Sequence, residues 1–205
     1  MQNEKYKLKK YPEYFRHEIE LFQGTEKQEE KEFYEKRKKG ENDNYICQII
    51  QQDLIDDFVI YVNHKNLPIQ TTKIIPESIF ETNSFLLKNE PSLIEYAAFY
   101  GSIQIFNYLK YNKVELSPSL WLYSIHGKSA EIISILEEEK VKPKDQNYDE
   151  YLKESIKCHH NDFAEYIINN LIDKNDMKFS FKNFDKNIFS YCFHYITTFF
   201  IFQKN

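Results

Sequence analysis

The sequence predicts an all-α chain built as a solenoid of short helix-turn-helix repeats. Three observations carry this: a segment that recurs along the chain, an apolar stripe at helical spacing inside it, and a small residue where two helices must approach. The first copy begins at Ser92. Shifted by 27 residues without a gap, Leu93 meets Leu120, Tyr96 meets Tyr123, Ala97 meets Ser124, Ala98 meets Ile125, Ile105 meets Ile132, Phe106 meets Ile133 and Leu109 meets Leu136. A further shift of 31 residues brings Ser155, Ile156, Phe163, Ala164, Tyr166 and Ile167 under Ser124, Ile125, Ile132, Ile133, Ile135 and Leu136.

Each copy reads as two short helices. In the first, Leu93, Tyr96, Ala97 and Tyr100 make one apolar stripe, and Ser92 with Glu95 forms a capping box just after Pro91, so the helix starts there. Gly101 can take the left-handed conformation that ends it, and Ile105, Phe106 and Leu109 give the inner face of the second helix. The small side chains of Ala97, Ser124 and Ser155 suit close helix-to-helix approach. Lys113-Val114 and Lys140-Val141 also coincide at 27 residues, so the connector belongs to the unit. Upstream, Ile49, Ile50, Ile55, Phe58 and Tyr61 fit the same frame at an offset of 48, with Asp57 where Ile105 should be.

The run S-L-I-E-Y-A-A-F-Y-G-S-I-Q-I-F-N-Y-L resembles the ankyrin pattern T-P-L-H-x-A-A-x-x-G-H-x-E-I-V-x-L-L, and Glu131-Ile132-Ile133 fits its E-I-V triplet more closely. The chain is also similar to a large family of ankyrin-like proteins expanded in parasitic protists, in which runs like Glu81-Thr82-Asn83-Ser84-Phe85-Leu86 and Trp121-Leu122-Tyr123 recur. Leu93 replaces the ankyrin proline, Glu95 replaces the histidine, and the spacing is tighter than the usual ~33 residues, which leaves the β-hairpin fingers of that family unassigned. The resemblance implies recognition of another protein by the variable residues before the glycine, on the concave face. Carried over by position, these are Phe99 and Tyr100, His126 and Gly127, and Lys157 and Cys158. Phe99, Tyr100, His126 and Lys157 are the partner-binding candidates.

The organisation expected is a charged helical segment over 1–40, a degenerate first repeat and linker over 41–90, repeats over 91–175, and an apolar segment over 176–205 that holds an incomplete last repeat. Composition suits a protein that folds in water: 41% of residues are hydrophobic and 29% charged. A net charge of -5 speaks against general nucleic-acid binding, which needs a concentrated positive field. The one basic run, Lys36-Arg37-Lys38-Lys39, follows an acidic stretch and reads as a solvated helix face. Cys47, Cys158 and Cys192 lie far apart and are odd in number, which fits reduced thiols in the cytoplasm. Ile188 to Phe202 is short of the ~20 apolar residues of a spanning helix and is broken by polar residues, so a buried terminal helix is expected there. A membrane attachment through this segment is the alternative. Phe199-Phe200-Ile201-Phe202 stands where terminal repeats carry a polar cap, so self-association through it is also expected.

No reaction centre, cofactor site or metal site is read from the sequence. Gly127-Lys128-Ser129 resembles the end of a phosphate loop, but position 122, which should be glycine, is Leu. His17-Glu18 opens like a zinc-protease helix, but Leu21 stands at the second histidine. Cys158-His159-His160 offers metal-ligand types, yet three consecutive helical residues point about 100° apart. His126 and Cys158 fall in equivalent turns of neighbouring copies and could pair, but the sequence marks neither an orienting third group nor an oxyanion hole. Trp121 and the acidic pairs read as core and solvated faces.

Overall fold

The computed structural model describes Phe15 and residues 30–70, 75–143 and 148–172. Among these residues the chain is all-helical and forms no strand. It divides into two units, Met1–Leu93 and Ile94–Asn205. The apolar segment over 176–205 and all but Phe15 of the first 29 residues lie outside the described part.

In the first unit, α1 (Glu30–Lys39) ends at Gly40, whose φ of +68° is left-handed. The basic run sits in the last turn of α1, as the helix dipole favours, and is answered by nearby acids: Lys36 pairs with Glu32 at 3.0 Å and Asp43 at 3.4 Å, and Lys39 with Glu41 at 2.9 Å. α2 (Tyr45–Gln51) and α3 (Ile55–Lys65) form a helix pair that buries Ile46, Cys47, Ile49, Ile50, Phe58 and Val62. Here the sequence frame needs a correction. Val62 takes the inner position expected for Tyr61, which is half-buried, because the inner face of α3 steps four residues from Phe58 where α6 of the next unit steps three. Asp57 stays exposed. Beyond α3 the chain returns to the start of the pair and is held there by polar groups: Asn42 donates Nδ2 to the Pro76 carbonyl at 2.7 Å, Ser78 donates to Asp43 at 2.7 Å, and Thr82 donates both its amide and its hydroxyl to the Gly40 carbonyl. A short helix, α4 (Ser84–Asn89), follows, capped by Asn83, whose side chain accepts from the amides of Phe85 and Leu86.

Three helix pairs follow in sequence, the first beginning at Leu93, the last residue of the first unit, and the rest lying in the second unit. They are α5 (Leu93–Tyr100) with α6 (Ile103–Tyr111), α7 (Leu120–Gly127) with α8 (Ala130–Glu138), and α9 (Asp149–Lys157) with α10 (Asn161–Tyr166), which runs on into a π-helical turn, Ile167–Leu171. Each pair is broken by the same backbone device. Gly101, Lys128 and His159 have φ of +67°, +51° and +55°, and the next amide, of Ser102, Ser129 or His160, reaches back to the carbonyl of Ala97, Ser124 or Ser155. This is the bond that closes a helix whose next residue is left-handed. The positions are separated by 27 and 31 residues, the offsets of the side-chain columns. The second helices of the first two pairs end alike: Val114 and Val141, each following a left-handed lysine, donate to Leu109 and Leu136, while the third closes its π-helical turn through the Ile172 amide on Ile167.

The apolar columns fill the interior. Leu93, Leu120 and Tyr151, then Ile94, Trp121 and Leu152, then Ile105, Ile132 and Phe163 are all buried. Ala97, Ser124 and Ser155 are fully buried, and the two serines donate to the carbonyls of Leu120 and Tyr151 in their own helices, so a hydroxyl sits in the core without an unmet bond. Trp121 is core, stacked against Tyr151 and Phe163 with its indole N–H on the Val141 carbonyl at 2.7 Å. Glu95 accepts a hydrogen bond from Ser119 at the start of α7, and Glu139 pairs with Lys110 at 2.8 Å.

Gly127 has a structural task. A Cβ there would strike the carbonyl oxygens of Ala98 and Phe99, so α7 lies against the end of α5 where Gly127 offers no side chain. Lys128, one residue on, carries the left-handed φ without being glycine. Gly127→Ala is therefore expected to destabilise the chain by about 1–3 kcal/mol through forced backbone displacement. Lys128→Gly should stabilise it by about 0.5–1 kcal/mol, since relief of the left-handed penalty exceeds the added freedom of the unfolded chain. Denaturant midpoints of the two variants check the pair, and the reverse order would contradict it.

Candidate functional site

The four partner-binding candidates come from the ends of three successive first helices. Phe99 and Tyr100 close α5, His126 lies in the last turn of α7, and Lys157 ends α9. The structure joins them. Phe99 touches Tyr100 edge-on at 5.1 Å between ring centres, and stacks on His126 at 5.5 Å with 25° between the planes. His126 Nε2 lies 3.1 Å from Glu154 Oε1, and Lys157 Nζ lies 3.0 Å from Glu154 Oε2. Tyr100, Phe99, His126, Glu154 and Lys157 thus make one unbroken ridge across three helix pairs. Phe99, Tyr100 and His126 are half-buried and Lys157 is exposed.

Two further residues of that reading, Gly127 and Cys158, do other work. Gly127 is the helix contact described above. Cys158, the residue just past α9, turns back toward His126: its Sγ lies 3.5 Å from Nδ1 and 3.9 Å from Nε2. His159 takes the left-handed turn and His160 precedes α10, so the Cys158-His159-His160 run is split by the helix break.

Glu154 is the residue that sequence reasoning passed over. In the repeat frame it stands under Tyr96 and Tyr123, both buried aromatics. A carboxylate in an apolar column requires a polar partner, and that is the signal that could have found it. It lies four residues before Cys158, which places both side chains on one face of the end of α9. His126 reaches this face from α7.

The electrostatics follow from these contacts. Burial pulls His126 down, but the neighbouring Cys158 sulfur and the Glu154 carboxylate outweigh it and push the ring up to about 9. The hydrogen bond from His126 is the largest influence on Glu154; with Lys157 it overcomes burial and holds the carboxyl at about 2. The imidazolium also sits at the carbonyl ends of α7 and α9, where helix dipoles favour positive charge.

The same geometry disfavours nucleophilic chemistry. A reactive thiolate is helped by a helix N-terminus, whereas Cys158 lies at a C-terminus. Its sulfur is nearly equidistant from the two ring nitrogens, while a sulfur on the in-plane lone-pair axis of Nδ1 would stand far from Nε2. Glu154 supplies an orienting third group for His126, but sulfur and ring are not aligned for proton transfer. What the cluster can do is hold positive charge. No family model, curated protein or solved structure matches the chain.

The pH dependence has a defined sign. The folded state binds the His126 proton more tightly than the unfolded chain, so its share of stability is complete below the ordinary imidazole value of 6.5 and is lost as pH rises toward about 9. Glu154 is depressed, so its share is present above 4.5 and is lost as pH falls toward about 2. In chelator-containing buffer, an NMR titration of the His126 ring should give a midpoint near 9, and Glu154→Gln should return it toward the ordinary range. An unperturbed midpoint in the parent chain would contradict the pairing.

Proposed function

We propose that the chain is an ankyrin-like repeat module whose task is to bind another protein, in the reducing cytoplasm, through the ridge Tyr100–Phe99–His126–Lys157. The single observation that carries this reading is the continuity of the ridge across three helix pairs. Stacked repeats recognise partners with a few side chains drawn from neighbouring units, and aromatic and cationic groups dominate the energetics of such contacts. This ridge offers two aromatic rings, an imidazolium and an ammonium, part-exposed and held in place by one another. A partner of complementary form presents apolar groups beside acidic ones.

The helix pairs support the solenoid reading through their backbone. Left-handed breaks and closing hydrogen bonds return at the offsets of the side-chain columns, and the connectors that the structure describes carry no strand, in keeping with an array without β-hairpin fingers. Among the described residues Cys47 and Cys158 are not joined in a disulfide. Among the described residues no helix is long and apolar enough to cross a membrane.

Proximity labelling in the native cell, run with the parent chain, Tyr100→Ala, Lys157→Glu and Tyr111→Ala, tests the proposal. Tyr111 is 85% exposed and lies off the ridge at the end of α6. The two ridge variants should lose the labelled partner, with affinity for the identified protein falling about tenfold or more, and Tyr111→Ala should keep it. Equal labelling by all four chains would refute the ridge.

A further inference from the structure

His126, Glu154 and Cys158 bring three metal-ligand types to one place from two helices, with their donor atoms all within 4.8 Å of one another. Bond lengths of about 2.0 Å from zinc to nitrogen or oxygen and about 2.3 Å to sulfur imply ligand-to-ligand edges of about 3.3–3.6 Å in a tetrahedron. The Nε2 to Oε1 separation of 3.1 Å and the Sγ to Nε2 separation of 3.9 Å bracket that edge. Rotation of the Cys158 and His126 side chains would bring the three donors, already within 4.8 Å of one another, round one ion.

We propose that His126, Glu154 and Cys158 form a site for one divalent ion of the zinc class. The donor set selects this class: a thiolate and an imidazole suit a borderline-soft d-block cation and are poor ligands for magnesium or calcium, which take oxygen. Charge balances, since one thiolate and one carboxylate neutralise a dication in a half-buried setting. An ion binds the Cys158 sulfur as thiolate and the His126 ring through an unprotonated nitrogen, so any proton held at either place leaves to solvent on loading. The His126–Glu154 ion pair is the metal-free form of the same site.

The surroundings suit a cation. The carbonyl ends of α7 and α9 converge on the cluster. Lys157 binds Glu154 Oε2 at 3.0 Å, which orients the carboxylate and leaves Oε1 facing the ring. Phe99 stacked on His126 shields one ring face and limits its rotation. Three protein ligands leave a fourth position for water. The site stands on these contacts, and it shares His126 with the ridge, where the bound ion supplies the positive charge in place of the imidazolium.

The test uses the full chain, chelator-treated and held reduced, titrated with Co2+ as a spectroscopic probe and then with Zn2+. One equivalent of Co2+ should produce a sulfur-to-cobalt charge-transfer band with strong tetrahedral ligand-field bands, and Zn2+ should displace it. Cys158→Ser should abolish the charge-transfer band and weaken binding more than tenfold, His126→Asn should weaken it similarly, and Cys47→Ser and Cys192→Ser should leave both unchanged. X-ray absorption of the zinc-loaded parent chain needs no variant to fold, and should report one sulfur among nitrogen and oxygen neighbours. Absence of stoichiometric binding, a shell without sulfur, or a cobalt spectrum unaltered by Cys158→Ser would overturn the proposal.

Discussion

Everything in the second unit depends on one backbone event made three times, the left-handed residue that ends each first helix. At Gly101, Lys128 and His159 the chain reverses, and the following amide closes the helix on the carbonyl four residues before the turn residue. That reversal sets the second helix against the first and brings Ile105, Ile132 and Phe163 inward. Only one of the three positions is glycine. Among the described residues seven non-glycine residues have positive φ, so burial of the apolar columns must offset a recurring conformational cost.

The same event places the candidate site. Because each first helix ends in register with the next, the side chains just before the break line up across pairs, and Phe99, His126 and Lys157 become neighbours through Glu154. Glu154 occupies a place that Tyr96 and Tyr123 fill with aromatic rings. An acid there would be costly by itself, and it is stabilised by an imidazolium on one oxygen and an ammonium on the other. Packing and polarity thus exchange roles within one column: two units close it with rings, and the third with an ion pair. Cys158 completes the group at the position where the preceding pair carries Gly127, which must stay bare where α7 meets α5.

How much of this could be read beforehand varies by kind of information. The columns were legible because apolar side chains repeat at fixed offsets, and a helix buries residues by spacing. The break at Gly101 was legible because glycine is the default left-handed residue, whereas Lys128 and His159 carry no such mark and emerge through their offsets. Gly127 read as a variable surface position, since a glycine required by another chain segment looks like one required by nothing. The exchange of Val62 for Tyr61 came from one residue of slippage along α3, which periodicity cannot resolve when both residues are apolar. The Cys158–His126–Glu154 cluster was half visible. Equivalent turns brought the first two together, but the third lay hidden by the expectation that its column was apolar.

Hydrogen exchange at the turn amides measures the recurring break directly. The amides of Ser102, Ser129 and His160 close their helices on Ala97, Ser124 and Ser155, and Ser102 is itself buried. Each of the three should exchange as slowly as the interior amides of α5, α7 and α9, and all three should open together on denaturant. Fast exchange at these amides, at the rate of exposed chain, would mean that the first helices do not close there and that the repeated unit is not the one described.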